Sequence, residues 1–428
     1  MCIQSALRRG CGAGLLSIAL SSSAAAQGPL PAGPRVTIND AVRLTLEHNQ
    51  SFRAQRFTIE EAKADEITAS LKPNPSISLG ADGFTPFSPR QVNWDFLRST
   101  VSYSSALSYT FERGGKRDKR ISVAQLTTEV ATKNVLDVER QLRFQAEQAF
   151  VNALFAKSSL ELAQENLKSF SDVVEINRTR VAAGDLAEGE FYKIQLQQLQ
   201  FEQDVSIAEI ALIQAKAQLR QLMGFDTVPD DFLIEGDLRA VKVTLDGDDL
   251  KRQALDARAD LQAAQAAVRL AQENAALQRG IRARDISGDV DYTHTGPDNS
   301  VGVGVSFDLP FHDRNQGNIA RSDVAIKEVT ETAAAVRAAV LTDVTTALAG
   351  VATNQKIVAL YESGYLDKAK QSLDITTYVY QHGAGTLLDL LDAERTYRAT
   401  QLAYRQALAD EMTSIRQLNF AVGKQVIP

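Results

Sequence analysis

Thr100-Val101-Ser102-Tyr103-Ser104-Ser105-Ala106-Leu107-Ser108-Tyr109-Thr110-Phe111 alternates without a break. Val101, Tyr103, Ser105, Leu107, Tyr109 and Phe111 fall on one side of an extended chain, and Thr100, Ser102, Ser104, Ala106, Ser108 and Thr110 on the other. About twelve residues, aromatic toward the end, apolar on one face and small-polar on the other, fit a tilted membrane strand with lipid outside and water inside. An antiparallel sheet over a soluble core alternates in the same way. The stretch by itself leaves both readings open.

Its surroundings are unusual. After Gly114-Gly115-Lys116-Arg117 the period becomes helical and stays so to about Ala183, with Leu142, Ala146, Ala149, Phe150, Ala153 and Leu154 at three- and four-residue spacing. Roughly 65 residues at about 1.5 Å each make a helix near 100 Å, which needs partner helices beside it. The prolines permit this: eight of the eleven lie before Gln91 or at the last residue. Phe111 to Thr227 and Phe311 to Ile427 are therefore free to be helical. A return helix is expected over 185–223, after the turn at Val181-Ala182-Ala183-Gly184-Asp185.

Upstream, a Pro/Gly linker leads into Thr37-Ile38-Asn39-Asp40-Ala41-Val42, where Asn39 or Asp40 can cap a short helix. A second helix from about Ser51 ends at Lys72-Pro73-Asn74-Pro75. Alternation then starts at Ser76, giving a strand over about 76–84. Residues 1–26 read as a removed export signal: Arg8 and Arg9, a short apolar stretch, then Ala24-Ala25-Ala26. Cys2 and Cys11 both fall in that signal, so the mature chain has no thiol, and Leu7-Arg8-Arg9-Gly10 is a poor context for a lipid anchor on Cys11. No later segment reads as apolar enough for a transmembrane helix. The formal net charge of −7 becomes about −9 once Arg8 and Arg9 leave, which argues against nucleic acid as a partner.

The same programme then runs again. Val243 to Leu250 matches the Val36 to Val42 start, a helix ends near Arg284, and strands are expected at about 287–295 and 301–309. A long helix over about 317–382 and a return helix over 385–422 follow. Gly184 and Gly224 are 40 residues apart, as are Gly383 and Gly423, so both pairs share an offset of 199. Under it Ala208 meets Ala407, Gln218 meets Gln417 and Leu219 meets Leu418. The chain divides into 1–26 (signal), 27–50 (linker and short helix), 51–224 (first repeat), 225–250 (linker or equatorial segment), 251–423 (second repeat) and 424–428 (tail). A short helix stacked on a return helix equals the uninterrupted long helix beside it, at about 1.5 Å per residue.

With these residues in hand, the chain resembles the TolC-like outer-membrane efflux protein family over nearly its whole mature length. Tyr380-Gln381-His382-Gly383-Ala384-Gly385-Thr386-Leu387-Leu388-Asp389-Leu390-Leu391-Asp392-Ala393-Glu394, the Gly184 segment and the strand-to-helix junctions carry the likeness. Gly115-Lys116-Arg117 with Arg120, and Leu309-Pro310-Phe311 before Arg314-Asn315-Gln316-Gly317, look most like its heavy-metal (cobalt-zinc-cadmium) branch. The resemblance implies a mostly α chain with a membrane β portion: a homotrimer, four strands per chain in a twelve-stranded outer-membrane barrel, and a twelve-helix periplasmic tunnel. It implies a passive duct, opened by an iris-like movement of its tips and served by a periplasmic adaptor and an inner-membrane RND transporter. The outer component of a drug pump or type I secretion system is an alternative, and a periplasmic coiled-coil adaptor is one of another class. Open strand edges are not tolerated in lipid, which makes closure by oligomerisation a requirement.

By the same resemblance Tyr380 is a gate tyrosine, Asp389 and Asp392 ring the tunnel entrance, and the tips at Gly184, Asp185, Gly383 and Gly385 dock the adaptor. Glycine at a helix end also has a plain conformational reason, and acids in a first helical turn favour its positive dipole end. The family pattern has an arginine where Gly385 stands, so its salt-bridged latch does not carry over. The first-half counterparts of the two aspartates are Glu190 and Lys193. Only His48, His294, His312 and His382 could offer imidazole, none at paired ligand spacing, so no metal site is expected. Gly114-Gly115-Lys116 lacks the earlier glycine of a phosphate loop. No catalytic constellation and no cofactor is called for.

Overall fold

Thr37 opens the first helix of the computed structural model, which describes residues 33–83 and 93–427. The export signal lies outside the described residues. Strand β1 (Arg35–Val36) leads to α1 (Ile38–His48). The N-cap residue is Thr37, and of the two expected acceptors Asp40 serves: Thr37 Oγ1 accepts from the Asp40 N–H at 3.2 Å and the Asp40 carboxylate accepts back from the Thr37 N–H at 3.3 Å. This reciprocal capping box places Asn39 inside the helix and Asp40 at its third position. Helix α2 (Gln50–Ser70) follows a one-residue break at Asn49. Asn49 accepts from the Phe52 N–H at 3.0 Å and donates to the Leu222 carbonyl at 3.1 Å, which ties the break to a distant helix end.

The prolines at 73 and 75 turn the chain into β2 (Ser76–Asp82). The long connection that follows contains a short helix the pattern did not suggest, α3 (Trp94–Ser99), before β3 (Ser102–Phe111). After α4 (Lys116–Ala183), α5 (Glu188–Met223), β4 (Leu233–Ile234), α6 (Gly247–Ala257) and α7 (Ala259–Ile281) come β5 (Ile286–Thr295) and β6 (Asp298–Phe307). The last strand begins and ends earlier than expected because Gly296-Pro297 alone joins it to β5; Gly296 takes φ 60°.

The four long strands form one antiparallel sheet in the order β2-β3-β5-β6. Their register puts Ile77, Leu107, Val290 and Val303 on one face and Ser78, Ala106, Asp291 and Gly302 on the other. The apolar face is bare, Val303 being 83% exposed and Leu79 81%. No layer of this chain covers it among the described residues, which removes the soluble-core reading. The polar face is knitted by hydroxyls, Ser76 to Ser108 at 2.7 Å and Thr110 to Ser287 at 2.9 Å. It carries Asp82, Asp289, Asp291 and Asp298 and no lysine or arginine. Gly302 leaves room there for the Asp291 carboxylate, which stands 2.4 Å from where a Cβ would be.

At 68 residues α4 is the spine. It starts at left-handed Gly115, and Gly114 before it is so close to α7 that a Cβ would meet the Gly280 carbonyl at 2.5 Å. The junction is locked by Lys116 on Asp285 at 2.8 Å and by Arg117 Nε donating to the Ser70 carbonyl at 2.7 Å. Helices α2 and α5 lie end to end on one side of α4, and α7 and α10 (Leu387–Val422) on the other. Helix α8 (Gln316–Leu360) packs beyond them. Two matched cores sit where return helices meet the midline: Leu219 and Met223 with Phe150 and Phe232, and Leu418 and Val422 with Val344 and Leu250.

The second long helix departs from expectation. It is α8, then a π turn at Tyr361–Tyr365, then α9 (Leu366–Gln381), and not one uninterrupted helix over 317–382. Gly364 takes φ 105°, outside the helical region, and widens the turn. The expectation that no later segment is apolar enough to span a membrane is also overturned, since Gln316–Gln381 contains such a stretch by length and composition. Val340, Val344, Ala347 and Val351 bury part of it against α6 and α10.

Candidate channel entrance at the helical tips

The end of the molecule opposite the sheet is made of two turns of like construction. At the first, the Asp185 N–H donates to the Arg180 carbonyl at 2.8 Å and the Gly184 N–H to Val181 at 3.0 Å. At the second, 199 residues on, the Ala384 N–H donates to Val379 at 3.1 Å and the Gly383 N–H to Tyr380 at 3.0 Å. Gly184 and Gly383 take φ 83° and 73°, and space for a Cβ is open at both. Backbone conformation therefore demands these glycines. Asp185 is exposed; Gly385 is half-buried, with a Cβ position 3.1 Å from Val379.

The return helices begin later than expected, at Glu188 and Leu387. Thr386 caps the second through a capping box whose acid is Asp389: its carboxylate accepts from Thr386 Oγ1 at 2.6 Å and from the Thr386 N–H at 3.3 Å. Asp392, one turn on, is exposed and pairs with Arg395 at 2.6 Å. In the first half Glu190 and Lys193 pair with each other at 2.7 Å, and Ala187 caps without a side-chain bond. Each aspartate thus has a local partner, and within one chain the two form no acidic pocket.

Tyr380 is the member of the group that the fold draws inward, to 6% exposure. Its hydroxyl donates to Asn177 Oδ1 at 2.8 Å, a buried bond between α9 and α4, and the Arg180 guanidinium lies 5.4 Å from its ring. Burial pushes the phenol above its ordinary pKa; Arg180 and the Asn177 bond pull the other way. Asn177 was not singled out in the sequence. Its position near the end of α4, among Val173, Val174 and Arg178, gives no hint that its partner is 203 residues away.

Also unanticipated is a cleft of about 280 Å³ between α5 and α10, lined by Gln197, Phe201, Leu391, Asp392, Glu394 and Arg398. Arg398 lies 4.3 Å over the Phe201 ring and pairs with Asp204 at 3.1 Å. Glu394 is buried, and loss of water holds its carboxyl above the usual range, with Arg398 opposing. The first-half counterpart is Gln195, so the group exists in one half only. Among the described residues no three His, Asp or Glu side chains gather as metal ligands.

The family model described as Outer membrane efflux protein matches residues 41–225 and again 250–424. The cobalt-zinc-cadmium resistance protein CzcC of Cupriavidus metallidurans is 23% identical over 396 residues, covering 92% of this chain and 91% of that one. The solved structure of CusC superposes with a TM-score of 0.75 at 17% identity, over 90% of this chain and 92% of that one. The open-state outer membrane channel MtrE of Neisseria gonorrhoeae gives 0.75 at 20% identity, over 92% and 90%.

Proposed function

Since this chain belongs to the outer membrane efflux protein family, we propose that three copies build one duct, a barrel of about twelve strands continued by a periplasmic tunnel of helices. The observation that carries this reading is the four-stranded sheet with a bare apolar face and two open edges, β2 and β6. Lipid offers no water to unpaired N–H and C=O groups, so each edge must meet the edge of another copy. The helical layer has the same need. At one margin α5 exposes Leu196, Leu199, Ile207, Ile210 and Ile213, and at the other α9 exposes Ile375 and Tyr378. Margin on margin would cover both as in a coiled coil. The two halves are read as copies of one unit, each supplying two strands and one panel of tunnel wall.

The cargo is divalent metal cations, conducted and not captured. A polar strand face bearing aspartates and hydroxyls without a basic residue supports cation passage, and the name of the Cupriavidus metallidurans relative supports metal. The tips at Gly184, Asp185, Gly383 and Gly385 dock a periplasmic adaptor, and an inner-membrane RND transporter supplies the energy. Tyr380 acts as the gate by tying α9 to α4. Asp389 and Asp392, repeated around three copies, supply the carboxylates of the entrance.

The test is fractionation followed by gel migration with and without heating. A heat-sensitive trimer in the outer membrane fraction is expected; a soluble monomer would sink the duct. Deleting the gene should raise sensitivity to zinc, cobalt or cadmium, and a change confined to drugs would overturn the metal reading.

A further inference from the structure

The four strand–helix junctions share a feature that duct formation does not require. Each carries a cation without a carboxylate partner, the Arg314 side chain donating only to the Pro310 carbonyl at 3.2 Å. Lys72 follows α2, Arg113 follows β3, Arg282 follows α7, and Arg314 precedes α8. All four are exposed, and none makes an ion pair among the described residues. Their neighbours are committed: Lys116 to Asp285, Arg120 to Glu112, and Arg284 to Asp313. Close in sequence to Lys72, Arg113 and Arg314 stand exposed apolar side chains, Leu71, Phe111, Leu309 and Phe311, the last 71% exposed. Phe111 shares a row with Ile286 and Phe307 at the end of the bare apolar face of the sheet, and Leu309 and Phe311 follow within four residues of Phe307.

Charge separates this rim from the rest of the protein. Segments 112–120, 282–285 and 308–314 hold eight lysines and arginines against five acids, in a chain whose formal net charge is −7. At the opposite rim the described residues offer Asp82, Asp95 and Asp298 against Arg98. An apolar band that ends in a ring of unpaired cations matches a bilayer surface: acyl chains against the apolar side chains, phosphate groups against the ammonium and guanidinium groups.

We propose that Lys72, Arg113, Arg282 and Arg314 form a headgroup belt that selects anionic phospholipid in the periplasmic leaflet of the outer membrane. The belt rests on the reading that the strands lie in that membrane. Partner chemistry follows from geometry: a lone cation beside an apolar anchor suits a phosphodiester whose acyl chains lie alongside. Arginine can hold such a group through two N–H donors, lysine as a point charge. Threefold repetition would place four such positions on every copy around the barrel's base.

The experiment incorporates the full-length protein into phosphatidylcholine bilayers containing spin-labelled phosphatidylglycerol or spin-labelled phosphatidylcholine. The immobilised fraction of each label reports which lipid the protein holds. Phosphatidylglycerol should be favoured several-fold, and the preference should shrink between about 0.05 M and about 1 M salt, where screening becomes strong. In the variant K72Q/R113Q/R282Q/R314Q the preference should fall to parity, whereas K72R/R113K/R282K/R314K should retain it. Equal immobilisation of the two labels by the native protein, or an unchanged preference in the glutamine variant, would overturn the belt. Failure of the native protein to incorporate in any lipid would instead defeat the membrane reading beneath it. Heat-sensitive migration of the glutamine variant checks that it has folded.

Discussion

The two halves share a backbone plan and differ in what holds it. Where a short helix meets the next end to end, the first half uses Asn49, whose amide donates to the Leu222 carbonyl at 3.1 Å. The second uses Arg258, which donates to the Ala421 carbonyl at 3.0 Å, 199 residues on from Leu222. Arg258 is also buried in ion pairs, at 2.6 Å with Asp260 and 3.1 Å with Asp343. One carbonyl needs a donor in both halves, and one donor is neutral while the other is charged. The lesson is that the fold fixes the position of the hydrogen bond and leaves its chemistry free. The charged version is the more brittle, because both carboxylates depend on the one arginine.

Breaking that contrast gives the largest expected effect. Arg258→Ala should destabilise by about 3–5 kcal/mol, since it leaves two carboxylates without their buried partner. Asn49→Ala should lower stability by only about 1 kcal/mol, the usual effect of losing a cap. Denaturant titration of the two variants measures the difference, and equal losses would refute the contrast.

Tyr380 sharpens the asymmetry at the tips, because its counterpart 199 residues earlier is Val181. Tyr380→Phe leaves the Asn177 side chain buried without its partner, at a cost of about 1–3 kcal/mol. Single-channel recordings should show more frequent opening. If pairing with Asn177→Ala adds the two losses in full, the bond is not the coupling.

The long helices differ at the π turn. Gly364→Ala should cost about 1–2 kcal/mol, because alanine resists the left-handed backbone that φ 105° requires. Glu165→Ala, at the matching place in unbroken α4, should leave melting within about 0.5 kcal/mol of the parent.

The smallest effect depends on pH. Burial holds the Glu394 carboxyl above its ordinary range, so the native state keeps a proton that the unfolded chain has already lost. Its contribution is therefore most favourable below the ordinary carboxylate range and is lost as pH rises through the raised value. Glu394→Gln should flatten the fall in melting temperature across that window and match the first half, where Gln195 already stands. A melting series from acid to neutral pH reads this out, and an unchanged slope would place the titration elsewhere.

Much of this was legible from the chain. Alternation from Thr100 to Phe111 fixed which side chains share a face, because a strand has no other period. The absence of proline allowed α4 to run 68 residues. Less was legible wherever one local feature had several outcomes. Gly364 is a single glycine in a helical pattern, and nothing nearby says that it will open a π turn. That turn begins at Tyr361, whose ring lies 5.8 Å from that of Tyr404. At the second tip Asp389 was visible as an acid one turn past the glycine, while its use as a cap depended on where the helix began.

What the sequence by itself determined is periodicity: strands of one amphipathic face, helices too long to stand alone, and a second run of both at an offset of 199. These follow from residue type and spacing, which act locally. Only the tertiary structure decided that no layer covers the apolar face of the sheet, that Tyr380 meets Asn177, and that Arg258 rather than a neutral amide closes the second helix junction. Each of those depends on groups distant in sequence becoming neighbours. Loss of water then settles which polar groups must be paired, and that is a property of the packed chain alone.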